Sequence, residues 1–366
     1  MSSDVVLYIV IATALAFDFT NGFHDTANVV ATSISTRAMS PKLAVGLAAI
    51  LNFVGAFLSL AVAATIASGI VNAADITPQI VFAGLIGAIA WNLATWYFGL
   101  PSSSSHALIG GVVGSTVAAV GTSGVQFDGL LEKVVIPALV APVLALVVAG
   151  IAILIAYRIV GRQHPGTVAR GYRLGQIMSG GLLSLSHGTN DAQKTMGILF
   201  LALVANGNVA PDADVPNWVV VSAASAIALG TYVGGWRIIR TMGSRIIKMD
   251  PAQGFAAQGV GAAVIMAASH VGFPLSTTHV ISGAIMGTGA AKRVSAVRWG
   301  VAGNIVAAWV LTLPASAAVG GVTYAVVALL GAEGAGPVAV SAALLAALGL
   351  ALTKRLLAGR TLTAEG

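Results

Sequence analysis

Eleven apolar runs, most near the length of a bilayer-crossing helix, follow one another through this chain with little between them. They lie near residues 5–36, 43–71, 79–98, 102–121, 134–157, 174–205, 218–236, 252–271, 273–291, 299–331 and 337–353. In hydrocarbon every backbone N–H and C=O must find a partner within the protein, so runs of this length fold as helices. The charge supply agrees: 8% of the 366 residues are charged and 57% are apolar, too few charges to cover a water-facing surface of this size. The expectation is an all-α polytopic membrane protein of about 10–12 segments. Its 44 glycines let helices pack closely through small faces.

Orientation follows from the basic residues, which concentrate in cytoplasmic loops. Arg37 and Lys42, then Arg158, Arg162, Arg170 and Arg173, then Arg237, Arg240, Arg245 and Lys248, then Lys292, Arg293 and Arg298, and finally Lys354, Arg355 and Arg360, mark one side. Asp4, Asp75, Asp128, Glu132, Asp212, Asp214 and Glu333 fall in the other loops. This predicts a multi-pass plasma-membrane protein with its N-terminus outside and its C-terminus cytoplasmic. The alternation holds whether the pairs around Pro101 and Phe273 each span fully or fold as re-entrant hairpins. The net charge of +6 therefore reports orientation, and no nucleic-acid partner is expected. With no Cys, disulfides, thiolate nucleophiles and thiolate metal sites are excluded. Met1-Ser2-Ser3-Asp4 lacks a basic n-region and no cleavage pattern follows, so the first segment is expected to stay in the mature protein.

The chain also repeats itself. Asn21-Gly-Phe-His-Asp25 resembles His187-Gly-Thr-Asn-Asp191, and Pro101-Ser-Ser-Ser-Ser-His106 resembles Pro274-Leu-Ser-Thr-Thr-His279. Gly110 and Gly114 match Gly283 and Gly287, and Pro142 falls near the register of Pro314. The offsets stay between 191 − 25 = 166 and 274 − 101 = 173, a duplication rather than shared apolar composition. The charge map runs matched segments in opposite directions, which predicts an inverted-topology repeat of about five segments per half. The expected divisions are 1–160 for the first repeat, 161–173 for a basic cytoplasmic linker, 174–331 for the second repeat and 332–366 for a terminal helix and tail. Such repeats place substrate near the midplane with broken helices pointing at it.

The duplicated blocks carry the chemistry. Asp25 and Asp191 lie in apolar surroundings, where a carboxylate needs a partner, water or a function; equivalent register lets both face one cavity. Asp18 is a third acid with no acidic counterpart, either structural or functional. Gly22 and Gly188, with Asn21, His24, Thr26, Asn28, His187, Thr189 and Asn190 around them, predict helix breaks at membrane depth. Ser103, Ser104 and Ser105 after Pro101, and Ser276, Thr277 and Thr278 after Pro274, would open helices with free N–H groups and hydroxyls. That is a neutral cradle for a tetrahedral oxyanion; helix capping is the plainer use of the same residues. His24, His106, His187 and His279 admit proton relay, and nothing in their spacing marks a permanent metal. Lys194 aligns with Asn28; its ammonium either neutralises Asp191 or Asp25, or stands where a coupling sodium would bind. Ser, His and Asp are also the residue types of a hydrolase, yet no one serine is marked as nucleophile.

The stretches Gly22–Met39 and Ser186–Gly197, GFHDTANVVATSISTRAM and SHGTNDAQKTMG, resemble the paired signatures of the inorganic phosphate transporter (Pit) family, and Trp299–Ser316 resembles a further block of its bacterial members. The resemblance implies a transporter, not an enzyme: cation-driven symport of inorganic phosphate in a fold of inverted repeats with re-entrant hairpins. It implies Asp25, Asn28, Asn190 and Asp191 at a central phosphate and cation site, with Ser103–Ser105 and Ser276–Thr278 as the hairpin tips holding phosphate. The commoner family signature resembles GANDVAN in both halves, whereas His24 and Lys194 here replace one Asn in each. Those are features of bacterial members usually regarded as proton-coupled, some carrying a metal–phosphate complex. The implied partners are phosphate, a coupling cation (a proton ahead of sodium) and the bilayer, with no resident cofactor, catalytic residue or metal. Sulfate is the alternative oxyanion, and assembly as a homodimer is left open.

Overall fold

The computed structural model describes residues 3–331 and 334–347. The end of the last apolar run and the basic tail with Lys354, Arg355 and Arg360 lie outside the described residues, as does Glu333. The described chain is helical, and the expected all-α architecture holds. In order, the helices are α1 (Ser3–Ser35), α2 (Pro41–Gly55), α3 (Ala61–Ser68), α4 (Pro78–Phe98), α5 (Ser104–Val120), α6 (Phe127–Leu130) and α7 (Ile136–Val160). They continue with α8 (Pro165–Ala205), α9 (Asn217–Val233), α10 (Trp236–Arg240), α11 (Pro251–His270), α12 (Thr277–Lys292) and α13 (Trp299–Leu329), and α14 (Ala335–Ala347).

Among the described residues, four stretches are long and apolar enough to cross a membrane: Asp4–Ser35, Pro78–Phe98, Phe127–Val160 and Trp299–Leu329. The α9 and Trp236–Arg245 pair makes a fifth if its 58° bend lies within one span. The lipid-facing character of α7 and α13 is plain from exposed Leu139, Val143, Ile151, Ile155 and Ile159, and Val310, Val322 and Leu329, since hydrocarbon imposes no penalty on apolar surface.

Two sequence expectations shift. Part of the expected linker, residues 165–173, is helical and opens α8, which is 41 residues long; Pro165 at its first turn, with His164 capping Gly166 N, starts the helix early. The run near 43–71 is two helices, α2 and α3, separated at 56–60, and Gln193 of α8 accepts from Val62 N and Ala63 N at 2.8 and 3.2 Å to cap α3.

The packing comes in matched pairs. α1 packs on α9 and α8 on α2; α5 packs on α4 and α13, and α12 on α11 and α7. The matching glycines explain how. A Cβ on Gly110 or Gly114 would lie 2.5 Å from Leu313 O or 2.0 Å from Ala317 O of α13. On Gly283 or Gly287 it would lie 2.3 Å from Pro142 O or 2.0 Å from Leu146 O of α7. Backbones therefore touch there, and only glycine permits it. Pro142 has no N–H for the carbonyl of Ala138, and His279 Nδ1 takes that carbonyl at 3.2 Å.

Candidate functional site

The Asp motifs do not break their helices. α1 and α8 run through Gly22 and Gly188 without interruption, which corrects the expected breaks. Thr26 and Thr189 return their hydroxyls to Gly22 O and Leu185 O, one turn back, at 2.6 and 2.8 Å. The glycines serve close approach instead: a Cβ would lie 2.4 Å from Ile227 O at Gly22 and 2.1 Å from Asn52 O at Gly188. The irregular backbone lies at Leu100–Ser103 and Val271–Ser276, just before the Ser/Thr clusters.

Helical spacing now lines up the polar residues. Asp18, Asn21, Asp25 and Asn28 share one face of α1, and His187, Asp191 and Lys194 share one of α8. All seven are buried. The tips of α5 and α12 meet them. Thr277 Oγ1 lies 3.4 Å from an oxygen of Asp25 and 3.4 Å from an oxygen of Asp191. Thr278 Oγ1 lies 3.5 Å from Asp25 Oδ1, and Asn28 Nδ2 donates to Thr278 at 2.8 Å and Thr277 at 3.3 Å. Across the site, Lys194 Nζ donates to Asp191 Oδ1, to Ser105 Oγ at 2.5 Å and to Leu275 O at 2.9 Å. Asn190 Nδ2 donates to Leu275 O at 2.7 Å and Asp191 Oδ1 at 2.9 Å.

A histidine flanks each carboxylate. His24 Nδ1 is 2.7 Å from Asp25 Oδ1, and its Nε2 is 3.0 Å from Thr95 Oγ1 and 3.3 Å from Ser102 Oγ. His187 Nε2 is 3.0 Å from Asp191 Oδ2, off the N–H direction, and its Nδ1 is 3.1 Å from Asn52 Oδ1. Asp25, His187 and Asp191 each offer one ligand atom, all within 4.8 Å of one another, a set able to hold a small cation. His106 and His279 stand apart, stacked edge to face at 4.8 Å between ring centroids, with His279 also on Trp309.

The expected cradle divides in two. Ser103 and Ser276 cap α5 and α12, accepting from His106 N at 3.1 Å and His279 N at 3.3 Å; for these two the plainer use, capping, is present. Ser105, Thr277 and Thr278 face the aspartates and Lys194, and Ser104 Oγ is buried without a partner. Sequence reasoning did not single out Asn52, Thr95 or Leu275. Asn52 and Thr95 are polar interruptions of apolar runs, a readable signal; Leu275 acts through its carbonyl, which no side-chain pattern reveals.

Ser102, His24 and Asp25 approach the distances of a hydrolytic triad. Ser102 is fully enclosed, however, and donates to Thr95 Oγ1 at 2.8 Å.

A model of the phosphate transporter family matches residues 21–320. The chain belongs to this family. Its members are transporters, not enzymes. The chain is 54% identical over 327 residues to a probable low-affinity inorganic phosphate transporter of Mycobacterium bovis, covering 89% of this chain and 78% of that one. A protein of the same description in Rhizobium meliloti is 51% identical over 86% of this chain and 94% of its own. One in Bacillus subtilis is 44% identical over 87% and 96%. Among solved structures, a chain named the sodium-dependent phosphate transporter superposes with a TM-score of 0.80 at 25% identity, over 89% of this chain and 99% of that one.

Proposed function

We propose that the chain is a secondary symporter that carries inorganic phosphate through the plasma membrane with a cation, a proton ahead of sodium. The observation that carries it is one buried cluster in which Thr277 of the α12 tip meets both Asp25 and Asp191, and Ser105 of the α5 tip meets Lys194, itself paired with Asp191. Two carboxylates this close repel each other and repel phosphate, so the loaded site needs positive charge. Lys194, paired with Asp191, supplies one such charge, and a coupling ion between Asp25, His187 and Asp191 supplies another. Hydroxyls of Ser104, Ser105, Thr277 and Thr278, with the amides of Asn28 and Asn190, would replace water around the anion. A protonated phosphate can donate to an Asp; sulfate near neutral pH cannot.

Residues 1–160 and 174–331 are read as inverted repeats of about five segments each, with α4–α5 and α11–α12 as re-entrant hairpins, the N-terminus outside and the C-terminus cytoplasmic. The matched packing pairs support this reading, and rocking of one half against the other would expose the site alternately. In the test, purified protein in liposomes is given labelled phosphate under a proton gradient or a sodium gradient, with excess sulfate as competitor. Accumulation with protons alone, unaffected by sulfate, is expected. No concentrative uptake under either gradient by folded protein would reject the reading, and full inhibition by sulfate would shift it to a general oxyanion carrier.

A further inference from the structure

Asp18 makes no hydrogen bond to the groups of the site just described, yet it is fully buried on the Asp25 face of α1. Seven residues separate the two acids, about 10 Å along a helix axis. Neither carboxylate oxygen of Asp18 has a partner in hydrogen-bonding geometry. The polar side chains facing it are Thr195 of α8 and Asn21 of its own helix, and the charged groups facing it are Asp191 and Lys194 of α8. Thr195 Oγ1 and Asn21 Oδ1 are themselves buried and unpartnered. The second half has no equivalent: the residue in register is Ser184, whose hydroxyl donates to Gly180 O at 2.8 Å. Four buried oxygens, the carboxyl's own two among them, thus lie together without a protein partner, where buried polar groups ordinarily find one.

We propose that Asp18 is a second coupling site, a carboxyl that takes up a proton as phosphate loads and releases it on the other side of the membrane. The inference rests on the reading of the chain as a phosphate symporter. One proton gives this group of acceptors a donor. The O–H bond formed on one carboxyl oxygen lets the acid donate to Asn21 Oδ1, while the Thr195 hydroxyl donates to the other oxygen. On release the bond breaks, its electron pair stays on the carboxylate, and the proton leaves to water. Charge demands it too. Asp18, Asp25 and Asp191 bring three carboxyls into one buried region where Lys194 pairs with Asp191, and His24 and His187 lie beside Asp25 and Asp191, and phosphate adds at least one more negative charge. A metal ion is a poorer occupant, because hard cations take six or more oxygens and three side chains face this point.

Asp18→Asn mimics the loaded acid: neutral, with a donor and an acceptor, and unable to titrate. In liposomes the variant is expected to exchange phosphate down a tracer gradient at a rate within about threefold of the parent, while proton-driven accumulation collapses toward equilibrium. Protons entering per phosphate should fall by one. Infrared difference spectra of the purified full chain, with and without phosphate, should show a protonated-carboxyl band that Asp18→Asn removes and Asp18→Glu restores, shifted. The idea is overturned if Asp18→Asn accumulates phosphate with an unchanged proton count. Loss of exchange in both variants, with the band retained, would assign Asp18 a structural role. Sodium binding that Asp18→Asn abolishes would assign the position to sodium instead. A parent protein that exchanges no phosphate would sink the symporter reading, a separate result from any of these.

Discussion

Asn28 donates to Thr278 at 2.8 Å, and Lys194 donates to Ser105 at 2.5 Å. Asn28 aligns with Lys194 at an offset of 166 and Ser105 with Thr278 at an offset of 173. By sequence register one contact is therefore the counterpart of the other: α1 reaches the first turn of α12, and α8 reaches the first turn of α5. The two differ in charge and in the further partners that the charge draws in. The first is a neutral amide bond; the second is an ammonium that also binds Asp191 and Leu275 O.

Lys194→Asn makes the second contact like the first and leaves Asp191 without its cation. Removing one member of a buried ion pair costs about 3–5 kcal/mol. Thermal unfolding in detergent should move to lower temperature, and sodium should recover part of the loss in the variant while leaving the parent unmoved. Uptake by the variant should gain sodium dependence. An ion profile identical to the parent's would discard the view of Lys194 as a built-in substitute for sodium.

Asp25→Asn and Asp191→Asn keep the size and hydrogen-bonding capacity of the side chains and remove the charge that a coupling ion answers. Both variants should reach the membrane in normal amount and fail to concentrate phosphate, with internal tracer levelling at the external value. Normal accumulation by either one would remove that aspartate from the coupling site.

Thr277 is the hydroxyl nearest both carboxylates. A hydrogen bond to a charged group contributes about 1.5–3 kcal/mol, so Thr277→Val should raise the phosphate KM by roughly tenfold or more, and Thr277→Ser should recover most of it. The measurement is initial-rate uptake against phosphate concentration. Ser103→Ala, which removes a helix cap, should instead lower stability by about 1 kcal/mol with a smaller effect on KM.

The glycines of the two motifs separate packing from helix breaking. Gly22→Ala and Gly188→Ala place a methyl against the carbonyls of Ile227 and Asn52 and should each destabilise by about 1–3 kcal/mol. Gly46→Ala and Gly259→Ala, in α2 and α11, meet nothing within 4 Å and should be neutral or stabilising by up to about 1 kcal/mol. Detergent melting curves of the four variants decide it; equal loss in all four would contradict the close-contact account.

The sequence by itself determined the solvent, the all-helical architecture and the duplication. Scarce charge and long apolar runs leave no other way to satisfy a backbone in lipid, and residue types at a fixed offset survive any folding. It also marked Asp25, Asp191 and the two Ser/Thr clusters, because polar groups in apolar runs stand out. Only the tertiary structure decided what those glycines do, since a break and a close contact demand the same residue and differ only in whether a neighbouring carbonyl is there. It alone split the clusters into the caps Ser103 and Ser276 and the site-facing Ser105, Thr277 and Thr278, a matter of helix phase that spacing leaves undetermined. And it alone joined Lys194 to Ser105 and Leu275 O, a contact across more than 80 residues set by how helices pack rather than by any local pattern.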